Sequence, residues 1–197
     1  MTRTLLFAGL LLAALPSVEA QERCSSHTIT QRWLEQHGQS TDLVHALART
    51  SKGMPRGGGS PIVAVAVHVV WNMAAENVSD ALIQDMLVTL NEDFQAQNSD
   101  YDNVRATFLD DRGNPGIQFC LAQVDPNGTA TTGITRTQTS QTWFDPDNET
   151  NDMKSAPDGI APWDTESYLN IWICDISSGA TGGLVTTGYA YLPVGAM

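Results

Sequence analysis

The chain has 197 residues and a mass of 21.3 kDa, the size of one domain or of a domain with processed segments. Hydrophobic residues make up 42%, enough for a packed core and too many for a disordered chain. Ten Lys and Arg against 22 Asp and Glu give a formal charge of −12, which argues against a basic nucleic-acid surface and against binding to anionic membranes.

Residues 1–20 read as a secretory signal peptide. Arg3 supplies the positive start, Leu5 to Leu15 is an apolar run of eleven residues, and Pro16 ends it. Val18-Glu19-Ala20 then sets small residues at −3 and −1 of a cleavage site before Gln21. The run is too short for a membrane anchor, and no later stretch reaches the ~18 apolar residues of a span. A secreted, extracellular chain with no membrane partner is expected. Asn-x-Ser/Thr sequons stand at Asn77, Asn127 and Asn148, with Asn127 in the strong turn Asp125-Pro126-Asn127-Gly128. The cysteines are Cys24, Cys120 and Cys174, an odd count that leaves at least one thiol over or one intermolecular bond. Cys120 and Cys174 lie in strand-like apolar runs. They either pair in the core or stay as buried thiols, and Cys24 is the better candidate for a free one.

Residues 21–50 are polar with short helical patterns, and Thr41-Asp42 suits a cap for Leu43, Val44 and Leu47. Residues 49–61 hold four Gly and two Pro with Arg49, Lys52 and Arg56, a linker open to trypsin-like cleavage. A helical segment, a cleavable linker and a dense core fit a pro-segment before a mature domain; they fit an ordinary N-terminal extension equally well.

The core begins at Pro61. Ile62 to Val70 is a run of β-branched and small residues broken only by His68; it does not alternate, so a central strand buried on both faces is expected. Ser79 and Asp80 open a helix whose stripe is Ile83, Met86, Leu87, Leu90 and Phe94, ending near Asn98. Strands are expected at Ile117–Val124, at Gly133–Thr137, at Tyr168–Ile176 and at Thr187–Leu192, with an acidic loop over 141–160. The fold class is α/β. After residue 60 the chain offers one convincing helix, so one face of the sheet lacks an expected cover.

Chemistry is sparse. His27, His37, His45 and His68 include no pair within four positions, so no helical zinc pair exists. His68 in the core strand reads as a buried neutral histidine. No nucleophile elbow, Walker loop or C-x-x-C occurs. Asp145, Asp147 and Glu149 alternate like a calcium loop, but Thr150 and Ala156 stand where such a loop needs Gly and Glu. Taken alone, the residues describe a secreted α/β domain without a self-contained active site.

The order of blocks resembles the pappalysin (cytophagalysin) family of metzincin zinc metalloproteases. The blocks are Pro61–Asn72, Ser79-Asp80 with Leu90–Phe94, Ile117–Ala122, Asp125–Gly128 with Thr132–Arg136, Trp163-Asp164 with Tyr168–Cys174, and Gly188–Pro193. The resemblance implies a metzincin-like N-terminal subdomain: a twisted mixed sheet with one backing helix, ahead of an active-site helix bearing H-E-x-x-H-x-x-G-x-x-H. In the family three His hold zinc and the Glu polarises the attacking water. That helix has no counterpart here, since no His follows His68 and no Glu follows Glu166. No catalytic residue carries over. The expected organisation is a signal peptide (1–20), a pro-segment-like region and linker (21–60), and a truncated N-terminal subdomain (61–197), inactive as written. Zinc belongs to the full-length family and is not expected here.

Two site features are implied by the resemblance. Tyr189, Ala190 and Tyr191 correspond to the edge strand that pairs with an extended peptide or protein substrate. Cys24 resembles the pro-segment cysteine that holds latency by placing a thiolate on zinc, although Ser25-Ser26 replaces the Gly-Thr that usually follows. Two other readings compete: a non-catalytic secreted module binding extended peptides at an open sheet edge, and an unrelated secreted enzyme with a carboxylate pair in 141–160.

Overall fold

In the computed structural model the central run forms β1 (Ile62–Trp71), with residues 65–70 all buried. The structure describes residues 26–40, 42, 60–146, 151–176 and 186–191. β2 (Gln118–Leu121), β3 (Ile134–Gln138) and β4 (Leu169–Ile173) all pair with β1, and all three ladders are parallel. β2 covers 62–65 of β1, β3 covers 67–71, and β4 covers 65–69. A strand has two edges, so β2 and β3 lie end to end on one edge and β4 takes the other. The backbone agrees. Pro61, Val65, Val67 and Trp71, all odd positions, bond to the β2–β3 side. Gly133 joins the two short strands. Its φ is +75°, and a Cβ there would stand 2.7 Å from the Ala122 nitrogen.

Alternation along β1 assigns each face. Val65, Val67 and Val69 pack with Ile83, Leu87 and Phe119 beneath α2 (Asp80–Phe94). Burying each such side chain contributes about 1.5–3 kcal/mol, which makes this the main core. α2 begins as its sequence requires: the Ser79 hydroxyl accepts from the Leu82 N–H. It ends at Phe94, four residues before the expected stop. The Asn91 side chain donates to the Phe119 carbonyl at 2.9 Å and accepts from the Phe119 N–H at 2.7 Å. One carboxamide thus pairs the outer edge of β2 as a neighbouring strand would.

The other face corrects an expectation. Ala66, His68 and Val70 are as buried as the α2 side, without a second helix. Chain within 139–146 and 151–163, without a long helix or a strand, covers them, with Phe144, Met153 and Pro146 fully interior. Backbone hydrogen bonds hold this cover: Phe144 N–H to Asp175, Ile160 N–H to Met153 and Gly159 N–H to Ser155. The Trp172 indole also donates to the Ile160 carbonyl. A loop that satisfies its own polar groups closes a sheet face as well as a helix does.

Two further expectations change. Cys120 and Cys174 are both free thiols. They sit on opposite sides of β1, and strands two apart are separated by roughly 9–10 Å, beyond the reach of a disulfide. No strand forms at 187–191 among the described residues. The segment around Leu43–Leu47, the linker tip and most of the acidic 145–150 run lie outside the described residues, as does Asn148.

Candidate functional site

The expected peptide edge lies beside the loop-covered face. Tyr189 packs against the cluster of Val70, Phe144 and Met153, along with Trp172 and Cys174. Its hydroxyl donates to the Met153 sulfur at 3.2 Å, and the Tyr191 hydroxyl donates to the Asn151 side-chain oxygen at 3.4 Å. The Ala190 N–H donates to the Ser26 hydroxyl at 2.9 Å. Ser26 is the first residue of α1 (Ser26–Gln36). The Ala190 backbone donor is therefore engaged by the N-terminal segment.

Lys154 stands between the two tyrosines. Its Nζ lies 3.9 Å from the Tyr191 ring centre and 5.5 Å from the rings of Trp172 and Tyr189. Burial brings the Lys154 ammonium down to about 8, with the nearby Cys174 pulling the other way. It remains charged at neutral pH. Burial pushes the Cys174 thiol up to about 12, assisted by Asp175 and opposed by Lys154. Burial also raises the Tyr189 phenol, with smaller contributions from Tyr191 and Cys174. Both groups therefore stay protonated, so the site presents a fixed cation among neutral rings.

His68 is placed for structure. Asn170 is oriented by Trp163, whose N–H donates to Asn170 Oδ1 at 2.8 Å and whose carbonyl accepts from Nδ2 at 3.0 Å. With that oxygen fixed, His68 Nε2–H donates to it at 2.9 Å, and Nδ1 accepts from the Thr135 hydroxyl at 2.6 Å. Burial lowers the imidazole below its ordinary value, partly offset by the Asn170 hydrogen bond. Among the described residues no three His, Cys, Asp or Glu side chains converge to hold a metal ion. The residues described do not fit a zinc site. Cys24 lies outside the described residues, two positions before the Ser26 contact.

Sequence reasoning missed Lys154. The signal was present: it is the one cation after Arg136, in a stretch with eight Asp and Glu. Its ring partners come from three separate segments, which no local spacing reveals. Trp172 enters the sequence reading only as part of a family-like block, and Tyr189 and Tyr191 only as an expected edge strand.

Three similar solved structures are of mirolysin, a metzincin-type metalloprotease. Mirolysin in complex with a small compound is 42% identical with a TM-score of 0.57, covering 61% of this chain and 44% of that one. Mature mirolysin of Tannerella forsythia in complex with a cleaved peptide is 41% identical with a TM-score of 0.58, covering 63% and 46%. A Tannerella forsythia promirolysin mutant is 34% identical with a TM-score of 0.66, covering 87% and 54%. The chain thus spans about half the length of these structures. No protein-family model and no curated protein matches it. The open, parallel-dominated sheet with few helices is a metzincin-like fold, and the relationship is to a metalloprotease. No helix among the described residues is long and apolar enough to cross a membrane.

Proposed function

We propose that these residues belong to a secreted, pappalysin-like zinc metalloendopeptidase and form its signal peptide (1–20), pro-segment (21–60) and N-terminal subdomain (61–197). The observation that carries this is the identity of 34–42% to mirolysin and promirolysin structures over most of the chain. The coverage supports the internal division. Residues 61–197 are about 70% of the chain, so an 87% match to promirolysin reaches into residues before 61, while the mature mirolysin structure matches 63%. The 197 residues contain no H-E-x-x-H. Zinc and its chemistry would then rest with residues outside them, and the chain alone would be inactive. The N-terminal segment would hold latency in part through Ser26 on Ala190, with Cys24 close by in sequence.

The test has two arms. The coding sequence is read past the codon for Met197 for an H-E-x-x-H, and the resulting protein is assayed for chelator-sensitive cleavage of peptides. The 197-residue chain is assayed in parallel. Cleavage by the longer protein alone supports the reading. Chelator-sensitive proteolysis by the 197-residue chain itself would overturn it.

A second reading draws on one specific observation. Among the described residues both faces of β1 are covered. That suits a non-catalytic secreted module that binds extended peptides along 189–191. Cooperative unfolding of the 197-residue chain with little dye binding supports it. An aggregating, strongly dye-binding chain counts against it.

A further inference from the structure

Lys154 is an ammonium without an acceptor. Among the described residues no hydrogen bond or ion pair uses its Nζ. Its surroundings are three ring faces, at 3.9 Å for Tyr191 and 5.5 Å for Trp172 and Tyr189. Rings attract a cation and fix its position, but they do not neutralise it and offer no lone pairs to its N–H groups. Partial burial lowers the Lys154 ammonium below its ordinary value. Among the described residues no carboxylate closes on Lys154, and Asp175, next to Cys174, has interactions of its own. Remote carboxylates are screened over about 8–10 Å at ordinary salt, so the local cation decides what charge is accepted here.

We propose that Lys154 determines the specificity of the 189–191 segment, selecting an extended peptide that carries an acidic side chain. This rests on the reading of 189–191 as a peptide-docking segment. Tyr189 and Tyr191 alternate along the chain and both face the ammonium. A peptide laid along Ala190 therefore brings one of its own alternate side chains toward the same cation. A carboxylate in that place supplies the acceptor that the rings lack, as a charge-assisted hydrogen bond in a partly desolvated setting.

The test uses the full chain and capped heptapeptides of Thr and Ala in which Glu, Gln or Lys is walked through each position. Binding is followed by tryptophan fluorescence and calorimetry, on the unmodified chain and on Ser26→Ala, which frees the Ala190 N–H. At one position Glu should bind about five- to tenfold tighter than Gln, and Lys weaker than either. Lys154→Met should abolish the Glu–Gln difference, and Lys154→Arg should keep it. Equal binding of Glu and Gln peptides at every position overturns the specificity proposal and leaves peptide docking standing. A Glu preference that survives Lys154→Met also overturns it. No binding of any peptide, even to Ser26→Ala, overturns both.

Discussion

His68 gives its Nε2 proton to Asn170 at 2.9 Å across the ladder between β1 and β4, and Asn170 in turn grips the backbone of Trp163. This chain of bonds links the central strand to the loop that covers its second face. The bond that the Thr135 hydroxyl donates to Nδ1 at 2.6 Å requires a neutral imidazole with its proton on Nε2.

Acid should therefore loosen the covered face first. The folded-state pKa of His68 lies below the ordinary 6.5, so between the two values the unfolded chain binds a proton that the folded chain does not. Stability from this group is complete above about 6.5 and declines as pH falls below it. Urea midpoints between pH 7 and 5 should drop, and His68→Gln should flatten that part of the profile. A His68→Gln chain with an unchanged acid slope would assign the loss to other groups. His68→Ala should cost roughly 3 kcal/mol at pH 7, from the cavity and the two orphaned partners.

Gly159 tests the cover from its other end. A Cβ there would lie 2.2 Å from the Met153 carbonyl oxygen, so the 153 and 159 backbones touch only because the residue is glycine. Gly159→Ala must push these strands of the loop apart and should cost about 1–3 kcal/mol. Dye binding should rise and Trp172 fluorescence should shift, because the Ile160 carbonyl that receives its indole moves as well. Far-ultraviolet dichroism should stay unchanged, since neither α2 nor the ladders depend on this contact.

Much of the α2 side was legible because one rule, periodic apolar spacing, sets it. The run 62–70, broken only by His68, announced a strand buried on both faces, and the stripe Ile83, Leu87 and Leu90 announced its helix. The Ser79 cap was readable for the same local reason. The second face was misread because its cover follows no period. Phe144, Met153 and Ile160 come together only after the chain folds back through backbone hydrogen bonds such as Phe144 to Asp175 and Ile160 to Met153. Lys154 was invisible for a related cause: cation–ring geometry joins residues 18 to 37 positions apart. The Tyr189–Tyr191 segment is named by resemblance alone, and it forms no strand here because no periodic rule in the sequence sets its hydrogen-bond partner, Ser26.

The two thiols should differ in reactivity. Cys120 is exposed on β2, whereas Cys174 is half-buried and its thiol is pushed up to about 12. A thiolate-dependent reagent at pH 8 should label Cys120 quickly and Cys174 only after denaturation. Mild oxidation should leave the two unjoined to each other, as read by peptide mapping. A Cys120–Cys174 disulfide in the folded chain would contradict their placement on opposite sides of β1.

Alkaline pH isolates Lys154. Its folded-state value of about 8 lies below the ordinary 10.5, so above pH 8 the folded chain sheds a proton that the unfolded chain keeps. Stability should therefore rise between pH 8 and 9. Cys174 acts in the opposite direction, because its raised value makes the unfolded chain lose a proton first, but only from about 9 upward. The window between the two onsets belongs to the lysine. Lys154→Met should flatten the slope there without unfolding the chain, since its apolar stem still packs on the rings of Trp172, Tyr189 and Tyr191. Urea midpoints at pH 7.5, 8.5 and 9 read the difference. A wild-type slope that falls through this window would mean that the ring faces stabilise the ammonium by more than its burial costs.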